Sequence, residues 1–412
     1  MRIPYRYRVI ILLFFLSLIT YMDRITISLV GVRIKSALKL NNEQFGWVLG
    51  AFALSYALFE IPAGILGDRI GQRKLFIRIV LWWSLFTVLT GAVTGFTMLL
   101  ITRFLFGMGE AGAFPTGSAT ISRWLPFAET ARGASWMITG TGAGAAIAPL
   151  IVVPLAVAYG WRIPFFVNGL IGIVWVFICY RWFKDEPAQM KHIPPEEKEY
   201  ILTNRRFTNK HEPFPWRIAL RSRSLRALVT AFFCIQWALY FFVAWMPVYL
   251  QEGRHFSENQ MKMTSSWLFA VGIIAGMGGG FFMDWLVREK GLKFSRILIG
   301  VSAGAIMSLL FFAVAATISN TVATVCLIAC YSLVPVIGIN AFSACIDIGK
   351  SKAGTLVGIM SFAGNMGAFF LSILFGKIVD STKNFATPMY VLSGVLLVGA
   401  CMWFFVNADK QI

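Results

Sequence analysis

Four charged residues lie inside long apolar stretches of this sequence. Arg103 and Glu110 belong to RFLFGMGEAGAFPTGSATISRWLP (residues 103–126), and Asp23 and Arg24 lie in the middle of the first apolar stretch. Seven residues are almost two helical turns, so the Arg103 and Glu110 side chains are predicted on one helix face. Charges within a membrane helix are expensive and usually face a polar cavity. These four residues therefore predict the anion and proton sites of a transporter.

Arg103 and Glu110 offer different chemistry. A guanidinium presents paired N–H donors to a carboxylate, so Arg103 is a candidate for binding an organic anion, although it could instead only bond nearby backbone. Burial favours the neutral form of a carboxyl group, whereas a nearby arginine favours the ionised form. Because an anion on that arginine would remove the counter-charge of Glu110, Glu110 is predicted to bind a coupling proton. The alternative is a permanent ion pair between Glu110 and an arginine that holds helices 1 and 4 together.

Asp23 and Arg24 are neighbours in the sequence, so their side chains diverge by about 100° around a helix. They therefore do not simply neutralise each other. One side chain can face the cavity while the other reaches an adjacent helix. The alternative for Asp23 is a structural bridge to the helix that contains Arg103.

The composition is that of a polytopic membrane protein. The chain has 412 residues, of which 58% are hydrophobic and only 14% charged, and its mean hydropathy is +0.71. The net charge of +18 could indicate nucleic-acid binding, but the basic residues lie in the connections between apolar stretches, as topology determinants do. Nucleic acid is therefore not a predicted partner.

Apolar windows of about 20 residues predict an all-α fold with twelve transmembrane helices. The predicted spans are 9–31, 45–67, 75–96, 98–121, 133–157, 162–183, 226–250, 264–287, 296–317, 321–344, 353–376 and 387–407.

The charges in the connections predict the orientation. With the amino terminus inside, 27 of the 37 Lys and Arg residues fall in cytoplasmic segments. This excess favours cytoplasmic termini in a bacterial inner membrane. A polar cytoplasmic linker, 184–225, with a short surface helix predicted from Pro195, divides the chain into six-helix bundles at 1–183 and 226–412.

The two halves carry a related motif after their second span. Gly64 precedes Asp68 by four residues and a basic turn follows, and Gly280 precedes Asp284 in the same way. Parallel repeats of this kind are typical of transporters that bind their substrate at the midplane between two bundles.

Several motifs resemble the major facilitator superfamily. GILGDRIGQRK (64–74) is similar to its signature between helices 2 and 3, and RFLFGMGEA (103–111) to its fourth-helix signature. More narrowly, YMDRITIS (21–28), SYALFEIPAGILGDR (55–69) and YFFVAWMPVYL (240–250) resemble the anion:cation symporter family, which includes hexuronate, aldarate, galactonate, sialin and vesicular glutamate transporters.

The resemblance implies roles for individual residues. Glu110 matches the family's proton-site carboxylate and Asp23 its second protonatable carboxylate. Arg24 matches an arginine involved in substrate binding or coupling, and Tyr56 and Tyr240 match positions of the substrate pocket. The remaining match is a cytoplasmic gating latch, whose residues here are Asp68, Arg69, Arg73 and Lys74.

Polar residues in the apolar segments could line a cavity or join helices. In the carboxyl-terminal half these candidates for substrate binding are Gln236, Asn340, Ser361 and Asn365. No arginine, lysine or histidine lies deep in predicted spans seven to twelve, so the amino-terminal bundle is predicted to hold the anion's charge. Glu60 is predicted to bond near the cytoplasmic end of its helix, and a coupling role for it is left open.

The sequence thus predicts proton-coupled symport of a small organic anion by alternating access, with a sugar acid such as a hexuronate, aldonate or aldarate as substrate. An exporter or antiporter of a drug or metabolite is the second hypothesis. It is less favoured because Gly140, Gly142 and Gly144 lack the strict GxxxGPxxGG spacing of the superfamily's exporters.

A non-transporting sensor or scaffold is the third hypothesis, but no extra soluble domain supports it. The sequence has no nucleotide loop, metal-ligand cluster or nucleophile arrangement, so neither an enzyme nor a cofactor or metal is predicted. The expected partners are the organic anion, protons and the lipid bilayer, with the protein as a monomer.

Overall fold

The computed structural model describes residues 3–190, 192–205, 221–349 and 353–409, and the side chain of Asp68 lies outside the described part. Within these ranges the ordered elements are helices, and none is a β-strand. The chain forms two compact units. Unit 1 comprises Met1–Thr26 and Ser55–His211, and unit 2 comprises Ile27–Leu54 and Glu212–Ile412.

The helices follow one another with short connections. In chain order they are α1 Tyr5–Leu29, α2 Gly31–Leu38, α3 Asn42–Ile70, α4 Gln72–Ala92, α5 Phe96–Glu110, α6 Ala113–Trp124, α7 Thr130–Tyr159, α8 Ile163–Trp182, α9 Pro195–Asn204, α10 Arg223–Tyr240, α11 Glu258–Lys290, α12 Leu292–Ala316, α13 Asn320–Gly349, α14 Ala353–Thr382 and α15 Ala386–Met402. The short surface helix predicted from Pro195 is confirmed as α9.

Among the described residues, 11 helices are long and apolar enough to cross a membrane. The predicted fourth span, 98–121, corresponds to two shorter helices, α5 and α6, which meet at Ala111 and Gly112. Pro115 has no backbone N–H and cannot bond to the carbonyl of Ala111, so the regular helix is interrupted there. Both joining residues keep right-handed helical backbone angles, and α5 and α6 are therefore connected by one distorted turn.

The helix that starts as α10 changes its winding before it ends. Two π-helical segments, Phe241–Trp245 and Tyr249–Gly253, lie on either side of the short helix Met246–Val248. Pro247 lies in that short helix and has no backbone N–H, so one helical hydrogen bond is missing. This loss accounts for the wider π-helical turns on either side. The sequence reading predicted one uninterrupted span here.

Unit 1 is held together partly by the close approach of α1 and α7. A Cβ atom added at Gly140 would lie 2.5 Å from the carbonyl oxygen of Phe14, and one at Gly144 would lie 2.2 Å from that of Leu18. The absence of a side chain at these two glycines therefore lets α7 approach the backbone of α1. The indole of Trp175 in α8 also donates to the backbone oxygen of Leu12 at 3.1 Å.

Unit 2 has an aromatic core. The ring of Phe375 contacts those of Phe241 and Trp245, and Phe311 contacts Phe241 at 5.4 Å between centroids. The indole of Trp245 donates to a backbone oxygen of α14 at 3.1 Å. The π-helical segment Phe241–Trp245 is therefore packed against α12 and α14.

Candidate anion and proton site

An ion pair between Arg24 and Glu110 joins α1 to the end of α5 inside unit 1. Arg24 Nε donates to Glu110 Oε1, and the two side chains are 10% and 1% exposed. A buried charge is stable only when it is paired or hydrogen-bonded. The sequence left open whether Glu110 would pair with an arginine, and the structure identifies Arg24 as such a partner.

Aromatic rings surround the Arg24 guanidinium. Its carbon atom lies 4.6 Å from the ring centroid of Tyr56, 5.1 Å from that of Tyr21 and 6.0 Å from that of Phe114. A guanidinium over an aromatic face is stabilised electrostatically. The rings therefore support the position of Arg24 independently of the carboxylate.

Asp23 and Arg103 are buried beside this pair, each 2% exposed. Asp23 lies within electrostatic range of both Arg103 and Glu110, and the Arg103 guanidinium also lies 4.2 Å from the ring centroid of Phe106. We call Asp23, Arg24, Arg103 and Glu110 the charge cluster. With both acids ionised these four side chains sum to zero charge, and each proton that an acid binds makes the cluster more positive by one.

Glu60 lies closer to the charge cluster than its sequence position indicated. It follows Tyr56 by one helical turn of α3, is half-buried, and its charge interacts with Arg24. The prediction that it bonds near the cytoplasmic end of its helix did not include this electrostatic interaction with the cluster. A third acid is available to Arg24.

The predicted polar residues of unit 2 fall into two places. The Tyr240 hydroxyl donates to Asn365 Oδ1 at 3.5 Å, and Asn365 Nδ2 donates to the backbone oxygen of Ser361 at 3.0 Å. Gln236 precedes Tyr240 by one turn of α10 and is half-buried. Asn340 lies elsewhere, because its amide donates at 2.9 Å to the backbone oxygen of Arg296 and joins α13 to α12.

The predicted gating residues lie at the junction of α3 and α4. Arg69 and Lys74 are exposed, and the Asp68 side chain lies outside the described part. The Arg73 backbone N–H donates to Asp185 Oδ1 at 2.6 Å, and its guanidinium donates to the backbone oxygen of Tyr180. The basic turn is thus tied to the segment after α8, and Asp185 accepts a hydrogen bond in the first turn of α4.

Two further carboxylates of that segment bind helix ends of unit 1. Glu186 accepts hydrogen bonds from Arg123 at the end of α6, at 3.3 Å, and from Arg205 after α9, at 2.5 Å. Glu197 accepts the first two backbone N–H groups of α1, each at 3.1 Å, and the Arg6 guanidinium at 3.3 Å. The sequence reading treated these acids as parts of a linker. The spacing of Glu186 and Glu197 in the sequence does not indicate which residues they bind.

A second ionic group, in unit 2, was also missed. Arg33 in α2 binds Glu258 through two hydrogen bonds of 2.8 and 3.0 Å, and these bonds raise the pKa of Arg33. Lys35 is 8% exposed and binds the Glu252 carboxylate at 2.7 Å. The sequence reading counted these basic residues only as topology charges.

Asp380 extends the same group at the start of α3. Its carboxylate accepts from Asn42 Nδ2 and from the Glu43 backbone N–H, both at 2.8 Å. Nearby, a Cβ atom added at Gly46 would lie 2.4 Å from the backbone oxygen of Ser372. The start of α3 therefore packs on α14 at backbone distance and is held there by ionic contacts.

Comparisons with known proteins agree with this architecture. Residues 13–372 match the Major Facilitator Superfamily. A bacterial homologue of the human lysosomal transporter Spinster, solved inward-facing and unoccupied, superimposes with a TM-score of 0.75 at 20% identity, over 98% of each chain. At this identity the likeness concerns the fold.

Two relatives are closer in sequence. A probable sulfoacetate transporter of Cupriavidus necator is 30% identical over 412 residues, covering 98% of this chain and 95% of the relative. The hexuronate transporter of Bacillus subtilis is 30% identical over 401 residues, covering 96% and 92%. The resemblance to anion transporters is confirmed, and the family and its relatives are transporters and not enzymes. The chain therefore belongs to the Major Facilitator Superfamily and is a multi-pass membrane protein.

Proposed function

We propose that this protein is a proton-coupled symporter of a small organic anion, with alternating access to the two sides of the membrane. The observation that carries the proposal is the charge cluster, in which two arginines and two carboxylates are buried together. An exporter of hydrophobic cations would have no need for two buried arginines. The two relatives, named as a probable sulfoacetate transporter and a hexuronate transporter, support an anionic substrate.

The coupling follows from competition for Arg24. In the structure the Glu110 carboxylate binds the Arg24 guanidinium. An incoming carboxylate or sulfonate would take over this donor, with Arg103 as a second cation. Glu110 would then be a buried carboxylate without its counter-charge, and such a group binds a proton. One anion and one proton thus enter together, and the total charge of the cluster and the bound anion stays at zero.

The energetics fit this stoichiometry. A monovalent anion that moves with one proton carries no net charge, so only the pH gradient drives it. The gradient supplies about 1.4 kcal/mol per pH unit, which is a tenfold accumulation. If Asp23 carries a second proton, the membrane potential adds about 2.3 kcal/mol per 100 mV.

Neutral groups are proposed to recognise the rest of the substrate. The hydrogen-bonded set of Tyr240, Asn365 and Ser361, with Gln236 one turn away, offers donors and acceptors to hydroxyl groups. Asn340 uses its amide N–H, and its Oδ1 has no hydrogen-bond partner among the described residues, so this oxygen can still accept. Such groups suit a sugar acid such as a hexuronate, aldonate or aldarate.

The topology belongs to the same proposal. We infer twelve spans, with α5 and α6 together forming the fourth, and bundles at 1–183 and 226–412 joined by a cytoplasmic segment, 184–225. Both termini would be cytoplasmic, in a bacterial inner membrane, and the protein a monomer. Asp68, Arg69, Arg73 and Lys74 would act in gating, and the bond between Arg73 and Asp185 supports a structured cytoplasmic junction.

The test is uptake by proteoliposomes under an inward proton gradient, with a panel of hexuronates, aldonates, aldarates and sulfoacetate. At least one anion should accumulate against its gradient, and a proton ionophore should abolish that accumulation. Failure to take up any organic anion would reject the symport proposal. Downhill uptake that ignores the ionophore would retain anion transport and reject coupling.

A further inference from the structure

Asn168 connects α8 to the helix that carries Asp23. It is fully buried, and its Nδ2 donates to Thr26 Oγ1 at 2.8 Å. The Thr26 hydroxyl donates to the Met22 backbone oxygen at 2.7 Å, so its oxygen is left to accept from the amide. Sequence patterns gave no role to either residue, because a buried amide or hydroxyl in a span most often only joins helices.

The same amide lies next to Asp23. Asp23 precedes Thr26 by three residues and so shares its helix face, and Asn168 is a hydrogen-bonding neighbour of the Asp23 carboxyl group. Within the described residues, both Asp23 oxygens and Asn168 Oδ1 are buried and make no hydrogen bond of good geometry. Buried polar atoms are rarely left unpaired, and an O–H group on Asp23 could donate to Asn168 Oδ1.

The charged groups around Asp23 are few. Glu110 and Arg103 of α5 lie in electrostatic range, and on α1 itself Arg24 is bound to Glu110. Helix α7 also packs on α1 and carries no charged residue after Arg132, which bonds to a tyrosine hydroxyl near the start of α1. From α8, the neutral Asn168 is the polar group that reaches Asp23.

We propose that Asn168 is a positioning residue that adapts the site to both protonation states of Asp23. This rests on the proposed proton coupling. When Asp23 is protonated, its O–H donates to Asn168 Oδ1, while Asn168 Nδ2 donates to Thr26. When Asp23 is ionised, the amide turns over, Nδ2 donates to the carboxylate, and the Thr26 hydroxyl leaves Met22 and donates to Oδ1.

In both arrangements the Thr26 hydroxyl and one N–H of the Asn168 amide have an acceptor, as does the Asp23 O–H when it is present. An amide suits this exchange because it carries a donor and an acceptor on one group. The arrangement in the structure, with Nδ2 on Thr26 and Oδ1 unpaired, is the one that a neutral Asp23 completes. Only a proton from solvent is gained or lost, and no other reactant is needed.

The experiment is an infrared difference titration of the purified protein without substrate. The carboxyl C=O band of protonated Asp23 is assigned by its loss in Asp23→Asn. In Asn168→Leu the band should move to higher frequency, because the carboxyl O–H has lost its acceptor. Thr26→Val should move it in the same direction by less, because it frees the amide without removing it.

The control is Thr90→Val, which removes a buried hydroxyl of α4 that bonds only within its own helix, at 2.7 Å to Phe86. Its Asp23 band should stay at the wild-type frequency. An unchanged band in both Asn168→Leu and Thr26→Val would overturn the inference, as would the absence of any Asp23-dependent band. Should Asn168→Leu not fold, Asn168→Ser and Thr26→Val carry the test. The infrared measurement needs no substrate, so it can be made even if the transport panel finds no transported anion. The positioning role of Asn168 and the symport proposal can therefore be rejected independently.

Discussion

Replacing Glu110 by glutamine separates proton coupling from anion movement. The side chain is 1% exposed and accepts a hydrogen bond from Arg24 Nε. Glutamine keeps an oxygen in that place and removes the charge and the exchangeable proton. Losing one partner of a buried ion pair costs about 3–5 kcal/mol. We expect the lower end, because the amide still accepts a hydrogen bond and the Tyr56 ring still supports Arg24.

The functional effect should be selective. With one proton per anion, the wild-type protein should accumulate its substrate about tenfold per pH unit of gradient. In Glu110→Gln the accumulation ratio should fall to about one, while counterflow exchange, which needs no net proton movement, stays within a few-fold of wild type. Both are measured with the labelled anion that the panel identifies.

A matched control is Glu199→Gln, because Glu199 is an exposed acid of α9 in the same unit. It should accumulate substrate like the wild-type protein. If Glu110→Gln itself still accumulates substrate tenfold per pH unit, the assignment of Glu110 as the coupling acid is wrong. Loss of exchange and accumulation together would instead indicate that the ion pair is structural.

Three other perturbations test separate parts of the structure. Arg103→Ala should weaken anion binding roughly 10- to 100-fold, from the loss of charged hydrogen bonds of about 1.5–3 kcal/mol, and wild-type affinity would leave Arg103 only a structural role. Gly71 and Gly160 both have positive φ, of 88° and 89°, but only at Gly71 would an added Cβ meet a carboxylate oxygen, at 2.6 Å. Gly71→Ala should therefore lower the Tm more than Gly160→Ala. Equal losses of Tm would contradict this packing. Glu197→Ala should speed amide exchange at the start of α1, since it removes two helix-capping bonds worth about 1 kcal/mol, and unchanged exchange would show that the cap is not needed.

The charge cluster was largely predictable from spacing. The helical period places Arg103 and Glu110 on one face, and the neighbouring positions of Asp23 and Arg24 separate their directions. The ion pair that the sequence offered between helices 1 and 4 is the one that Arg24 makes with Glu110, and its formation depends on how α1 and α5 are packed. Glu60 was predicted to bond near the end of its helix, and its electrostatic interaction with Arg24 depends on the tertiary packing.

The helices were predicted where the length of an apolar stretch determines them. They were missed where the local backbone, as at a proline, interrupts the helix. The interruption between α5 and α6 follows from Pro115, which lies inside an apolar window whose length alone predicts one helix. The segment after α8 has the composition of a linker, yet Asp185, Glu186 and Glu197 each bind a helix end of unit 1. From composition, such acids are expected to be solvated or paired. Their partners depend on the tertiary fold.

The most direct test of the central claim is proton movement caused by the substrate. Wild-type proteoliposomes without an imposed gradient receive the transported anion, and an external pH indicator follows the medium. We expect alkalinisation of the medium at a fixed ratio to anion uptake, at least one proton per anion, with no such signal in Glu110→Gln. Anion uptake by the wild-type protein without any pH change would contradict proton-coupled symport.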